Sequence, residues 1–235
     1  MASRPEEPRR TSPAHLRLAR IADAPAIHAI YAPIVRETAI SFEWDPPDVE
    51  EIADRMARTV ERLPWLVAVG AADALATDKV RDTRTAHPVV DPRSTASALE
   101  VHVAADETVL GYAYATPYRT RVAYRWSTEV SVYVAQAAQR RGVGRRLYNA
   151  LFALLRAQNY HIAYAGITVP NAASVTLHEA LGFERIGVFP DAGFKLGAWH
   201  DVLWMHRELA PAVSDPREPL PLSHVDAMTI RNALR

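Results

Sequence analysis

Gln139-Arg140-Arg141-Gly142-Val143-Gly144 places two glycines and two arginines between a β-branched run and an apolar helical periodicity. That combination suits the binding of a phosphate-bearing anion. Gly142 and Gly144 can take positive φ or let a ligand come close to the backbone, so that successive amide N–H groups converge where a helix begins. A helix start carries partial positive charge, and Arg145 and Arg146 follow directly, so a pyrophosphate or similar anion is favoured. The turn lacks both the third glycine and downstream acidic residue of a dinucleotide fingerprint and the Gly-Lys-Ser/Thr ending of a P-loop. The nine histidines are scattered without H-E-x-x-H or comparable spacing, so no metal is expected. Cysteine is absent, which excludes disulfides and thiol chemistry. Ser131 lacks a nucleophile-elbow sequence.

The elements that must hold this turn follow from periodicity. Val132, Tyr133 and Val134 end a strand, and Leu147, Ala150, Leu151, Leu154 and Leu155 recur at helical spacing to about Gln158. Upstream, a strand at His15 leads through Asp23, read as an N-cap, into a helix with Pro25 in its first turn. Asp45-Pro46-Pro47 starts a second helix, ended by Pro64, and Trp65 to Val69 reads as a strand. Residues 70–98 lose all period and read as a surface insertion, with strands at 99–104 and 109–115 beyond it. A polar and aromatic connection, 116–126, precedes the glycine-turn strand at 128–134. After the long helix come a strand at 161–169, a helix at 174–181 closed by Gly182, and strands at 184–189 and 202–208. The loop between the last two contains Phe194, Lys195, Trp199 and His200. Residues 1–14 and 210–235 read as tails, leaving one domain over 15–209 of α/β class with a mixed sheet.

The chain has 235 residues, enough for one sizeable core, and its 27 Lys and Arg balance its 27 Asp and Glu. There is thus no global field to favour nucleic acid or an anionic membrane as partner. The N-terminal MASRPEEPRRTSP has no apolar run of signal-peptide length, and no stretch reaches about 18 apolar residues, so a cytoplasmic protein is expected.

The pattern Gln/Arg-x-x-Gly-x-Gly/Ala, met by Gln139, Gly142 and Gly144, resembles the acetyl-CoA loop of the GNAT N-acetyltransferases, and the element order follows that fold. The strings WSTEVSVYV, QRRGVG, VPNAASVTLHEALGF and GFKLGAWHDVLW together resemble the phosphinothricin and methionine sulfoximine N-acetyltransferases. The resemblance implies a mixed, mostly antiparallel sheet flanked by helices. It also implies acetyl-CoA as cosubstrate, no metal, and acetylation of the α-amine of a small amino acid.

Residue by residue, the resemblance makes Glu129 the general base and His178, where many relatives carry Tyr, a candidate general acid. Val132, Tyr133 and Val134 would pair with pantetheine. The backbone of Arg140, Arg141, Gly142, Val143, Gly144 and Arg145 would hold the pyrophosphate, and Asn171 would meet the pantetheine arm. Arg119, Arg121 and Ser131 would bind the substrate, with Phe42, Tyr124 and Trp126 as pocket walls. By residue type alone, each has a plainer reading: Glu129 as a solvated strand-edge carboxylate, Asn171 as an N-cap, His178 and the aromatics as core, the arginines as a solvated helix face. Two alternatives stay open: a GNAT enzyme for another amine (polyamine, aminoglycoside or protein N-terminus), and an acetyl-CoA-binding regulator without turnover. Homodimers are frequent among such relatives, so a homodimer is a further expectation, with 210–235 as a candidate association segment.

Overall fold

The structure is a computed structural model that describes residues 14–71 and 107–235. The expected N-terminal tail (save Ala14), the insertion beyond residue 71 and the strand expected at 99–104 lie outside the described residues. A seven-stranded sheet has the order β1-β2-β3-β4-β5-β7-β6. Its strands are β1 (His15–Leu18), β2 (Trp65–Ala71), β3 (Glu107–Pro117), β4 (Ser127–Val134), β5 (Ile162–Val169), β6 (Glu184–Lys195) and β7 (Ala198–Glu208). Every neighbouring pair is antiparallel except β4 and β5. The mixed, mostly antiparallel sheet expected from the sequence is therefore present.

Alternation along β2 divides the core in two. Trp65, Val67 and Val69 face α1 (Ala24–Glu37) and α2 (Val49–Ala57), packing with Ile27, Tyr31, Val35, Ile52 and Met56. Leu66 and Ala68 face α3 (Val143–Ala157), whose Leu147, Leu151, Leu154 and Leu155 are fully buried. The short α4 (Ala172–Glu179) follows β5, and α5 (Ala227–Ala233) closes the chain.

Several boundaries differ from the sequence reading. Helix α2 starts at Val49 rather than at the prolines, because Asp48 is its cap, accepting from the Glu51 N–H at 2.8 Å. It ends at Ala57, well before Pro64. Asp23 is the N-cap residue of α1, as expected, but its side chain makes no capping bond. Its carboxylate is taken by both Nη atoms of Arg17, at 2.7 Å each, and by the Arg20 N–H. The loop expected between the last strands is instead a long hairpin. Leu196 and Gly197 both take positive φ, 52° and 80°, which is the backbone of a tight two-residue hairpin turn, so Phe194, Lys195, Trp199 and His200 lie in strands.

Residues 210–235, expected as a tail, cross back over the domain. The Gln158 side chain donates to the carbonyls of Arg62 and Leu220, Trp126 Nε1 donates to Arg217, and Leu222 is buried beside α3. Among the described residues no helix is long and apolar enough to cross a membrane.

Gly111 on β3 opposes Val134 on β4, and a Cβ there would stand 2.8 Å from the Tyr133 carbonyl oxygen. That obstacle is backbone and cannot rotate away. Gly111→Ala should therefore cost about 1–3 kcal/mol and lower the melting temperature by about 3–10 °C, measured by thermal denaturation.

Candidate active site

Parallel pairing between β4 and β5 involves only Ser127, Thr128 and Glu129 with Ile162, Ala163 and Tyr164. Beyond Glu129 the strands part, although β4 stays paired to β3 as far as Val134 and β5 stays paired to β7 as far as Val169. The resulting gap is lined on β4 by Val130, Ser131, Val132 and Tyr133. Tyr148 of α3 and Asn171, Ser174 and His178 of the α4 region reach it from one face, and Ile40 from the other.

The glycine turn lies where the gap meets α3. Arg140 and Gly142 both have positive φ, 60° and 77°, and Gly142 is the residue that precedes the helix. A bend of this kind turns consecutive N–H groups toward one point. Gly144 does something else. It is buried in the first turn of α3, and a Cβ there would meet Leu177 Cδ2 at 3.3 Å and Val134 Cγ2 at 3.6 Å, so its bareness lets α3 approach the strand and α4 closely. Gln139 donates weakly to the Val134 carbonyl at 3.4 Å. Arg140, Arg141 and Arg145 are exposed beside the turn, whereas Arg146 donates to the Ala14 carbonyl and so ties α3 to the start of β1.

Glu129 is half-buried at the last position of β4 that pairs with β5, opposite Thr116 of β3. Burial raises its carboxyl above the usual range, and the nearby Arg119 guanidinium opposes that rise. Arg119 itself lies over the Tyr118 ring, 4.2 Å from its centroid. Ser131, two residues on, shares a face with Glu129 and lies opposite Tyr114 of β3.

His178 is 3% exposed. Its Nδ1 sits 2.8 Å from the Ser174 carbonyl, which can only accept, so in the neutral ring Nδ1 carries the proton and Nε2 accepts from the Tyr148 hydroxyl at 3.1 Å. Burial lowers the imidazole pKa, with the Ser174 carbonyl opposing, and burial raises the Tyr148 hydroxyl. Asn171 is the N-cap of α4, its Oδ1 accepting from the Ser174 N–H at 3.1 Å, while it also lines the gap.

The gap thus gathers Ser131, Val132, Tyr133, Asn171 and His178, with Glu129 at its paired end and Val134 at its open one. Phe42 lies outside that lining, on the α1–α2 loop against Gly193 of the hairpin, where a Cβ would stand 2.5 Å from the ring. Arg121 and Tyr124 are exposed in the connection before β4. Trp126 is engaged with the C-terminal segment. Periodicity did not single out Tyr148, which reads as one more apolar position of α3. It also missed the chain in which Tyr31 bonds Ser41 (2.7 Å) and Glu43 (2.9 Å), Arg55 donates to Glu43 (2.7 Å), and Lys195 donates to the Ser41 carbonyl (2.6 Å). Among the described residues no three His, Asp or Glu side chains gather where one ion could hold them.

The sequence profile of the acetyltransferase (GNAT) domain matches residues 99–204. The chain is 37% identical to a phosphinothricin N-acetyltransferase of Streptomyces coelicolor, over 77% of this chain and 87% of that protein. It is 35% identical to an L-methionine sulfoximine/L-methionine sulfone acetyltransferase of Pseudomonas paraeruginosa, over 86% of this chain and 99% of that one. Its fold superposes with a TM-score of 0.69 on the crystal structure of a GNAT-superfamily phosphinothricin acetyltransferase from Sinorhizobium meliloti in complex with acetyl-CoA. That pair is 30% identical, over 91% of this chain and 98% of the other.

At Gly142 a Cβ would meet nothing within 4 Å, so only the backbone conformation resists substitution. Gly142→Ala should cost about 1–2 kcal/mol, read as a lower denaturant midpoint at unchanged slope.

Proposed function

Because this chain belongs to the GNAT family of N-acetyltransferases, we propose that it acetylates the α-amine of a small amino acid of the phosphinothricin or methionine sulfoximine type, with acetyl-CoA as donor and Glu129 as general base. The observation that carries this reading is the end of β4–β5 pairing at Glu129. It leaves the β5-facing edge of residues 130–134 open for an extended polar chain, beside a half-buried carboxylate.

The residues present fit the donor. Backbone groups of Val132, Tyr133 and Val134 take the place of a strand partner for the pantetheine arm, with the Asn171 amide alongside. The turn from Arg140 to Arg145 directs its N–H groups at the pyrophosphate, and the bareness of Gly144 keeps that turn close to the strand. Acetyl-CoA, when bound, supplies an activated acetyl thioester.

An α-amine is mostly protonated near neutral pH and has to lose a proton before it can attack. Glu129 accepts that proton, directly or through one water. Burial serves this role, since a carboxylate with a raised pKa is the stronger base. Arg119 limits the rise and gives the substrate carboxylate a guanidinium partner, with Arg121 and the Ser131 hydroxyl as further donors. His178 has no proton to give toward Tyr148 while neutral. As general acid for the leaving thiol it would act only from its charged form, which burial disfavours, and in the neutral form it holds the Tyr148 hydroxyl at the wall of the gap.

Glu129→Gln should lower kcat by about 10²–10⁴-fold, while acetyl-CoA binding, followed by calorimetric titration, stays unchanged. Unaltered turnover at saturating acceptor would remove Glu129 from the chemistry. The sign of the pH dependence follows from the raised pKa: the base is active only when ionised. The wild-type kcat should therefore fall with acidification through a midpoint above the ordinary glutamate range, and the Gln variant should lose that limb.

A further inference from the structure

Only two of the 27 Lys and Arg side chains of this chain are lysines, Lys79 and Lys195. Lys195, at the tip of the β6–β7 hairpin, is 3% exposed, and its ammonium donates to the Ser41 carbonyl of the α1–α2 loop at 2.6 Å. It takes no part in the acetyl transfer proposed above. Its partner is a neutral carbonyl, Glu43 acts on it from farther off, and burial lowers its pKa. A buried ammonium without a close counter-ion is a costly fastening. An apolar side chain would hold the hairpin to the loop at lower cost, but it would not fix where the carbonyl oxygen sits.

That loop stands over the face of the sheet that the amine must use. Val130 and Val132 pack on the α3 side of β4 and Tyr133 on the α1–α2 side, so Glu129 and Ser131 also face α1 and α2. An amine that gives its proton to Glu129 lies on that face. Ile40, which directly precedes Ser41, borders the gap there. The loop is held on both flanks. Ser41 Oγ bonds the Tyr31 hydroxyl at 2.7 Å, Tyr31 bonds Glu43, and Glu43 accepts from Arg55, which borders a cavity of about 270 Å³ with Trp65, Tyr112 and Tyr114. On the hairpin side, the Phe42 ring lies on Gly193, where a Cβ would stand 2.5 Å away, and His200 Nε2 donates to the Lys195 carbonyl at 3.0 Å.

We infer that Lys195 is a positioning residue for the acceptor: by fixing the Ser41 carbonyl it sets the α1–α2 loop, and with it Ile40, over Glu129 and Ser131 where the amine has to be held. The inference rests on the amino-acid acetylation proposed above. Lys195 touches no reacting atom and acts through the loop. The proposed donor contacts are separate from it, since the backbone of 132–134, the turn from Arg140 to Arg145 and Asn171 are not bonded to Lys195 or Ser41. A loop released from the hairpin therefore loosens the hold on the acceptor and leaves the hold on acetyl-CoA intact. Such a loss falls on acceptor binding before any chemistry, which raises KM with little change in kcat.

The test measures steady-state kinetics with phosphinothricin and with methionine sulfone as acceptors, and acetyl-CoA affinity by calorimetric titration, for the wild type, Lys195→Met and Gly193→Ala. Lys195→Met keeps an unbranched side chain and removes the charged donor. Gly193→Ala leaves Lys195 in place, at a backbone position outside the left-handed region, and forces the Phe42 ring off the hairpin. It keeps the inference testable should Lys195→Met not fold. In each variant that folds, the acceptor KM should rise by about tenfold, kcat should stay within about threefold, and the acetyl-CoA Kd within about twofold. A merely structural role would weaken donor and acceptor together. Equal losses for the two, or an unchanged acceptor KM in a folded variant, overturn the positioning role while leaving the acetyltransfer reading in place. If the wild type binds acetyl-CoA but acetylates neither compound, that reading falls and the inference falls with it.

Discussion

Two parallel strands that pair for three residues and then part are the constraint on which the rest of this molecule depends. Neither strand is free to close the gap. Strand β4 is held on its other side by β3 as far as Val134, where the absence of a side chain at Gly111 allows close approach, and β5 is held by β7 out to Asp201. Backbone N–H and C=O groups facing an open edge need partners. A fold that fixes such an edge in place has built a receptor for an extended polar chain. Helix α3 then sets where that chain must turn, because its first residues lie against Val134 through Gly144 and its N-terminus begins at the left-handed Gly142.

Burial is the common influence on the titratable groups around this gap. It raises Glu129, lowers His178 and raises Tyr148, in each case by disfavouring the charged form. The consequences differ. For the carboxyl, a higher pKa means a better base near neutral pH. For the imidazole, a lower pKa means a ring that is neutral most of the time, with its tautomer set by the Ser174 carbonyl. Arg119 tempers the carboxyl shift without the direct contact that would tie it up as an ion pair. Low dielectric thus raises the carboxyl pKa and one cation opposes the rise.

Features that sequence reasoning could read were those fixed by local rules. The strand, turn and helix around Gly142 depend on neighbours in the chain, and the structure places them where the spacing put them, whereas the helix expected at 174–181 runs from Ala172 to Glu179 with Ala180 as its C-cap and Gly182 taking positive φ two residues beyond. The misreadings came where a distant partner decided the outcome. Asp23 has the residue type of a cap but finds Arg17. The hairpin from Phe189 to Val202 looked like a loop because its turn residue is Leu196, which rarely takes positive φ, and because its exposed aromatics have no alternating period. Gly144 looked like a second turn glycine and is a packing glycine, a distinction that depends on Leu177, more than thirty residues on. The cavity beside Trp65 requires β2, β3 and α2 to be assembled, and no window of the sequence contains all three.

That difference in construction separates the two halves of the site. In the proposed reading the donor side lies mostly in one stretch, from Val132 to Arg145, joined by Asn171, and works mainly through backbone groups. On the α1–α2 face, by contrast, the polar network is made of side chains from segments far apart. Lys195, at the tip of the hairpin, is buried with its ammonium on the Ser41 carbonyl, Ser41 bonds Tyr31, Tyr31 bonds Glu43, and Glu43 holds Arg55 at the edge of the aromatic cavity. Each link is a hydrogen bond between groups wholly or partly withdrawn from water, where removing one partner leaves the other unmatched. A change at Lys195 can therefore be felt at Arg55 through four contacts while the gap between β4 and β5 is left as it was. If the open edge of β4 holds the thioester donor as proposed, side chains of this kind could vary without disturbing it, which is a physical route by which one scaffold could serve different amines with the same donor.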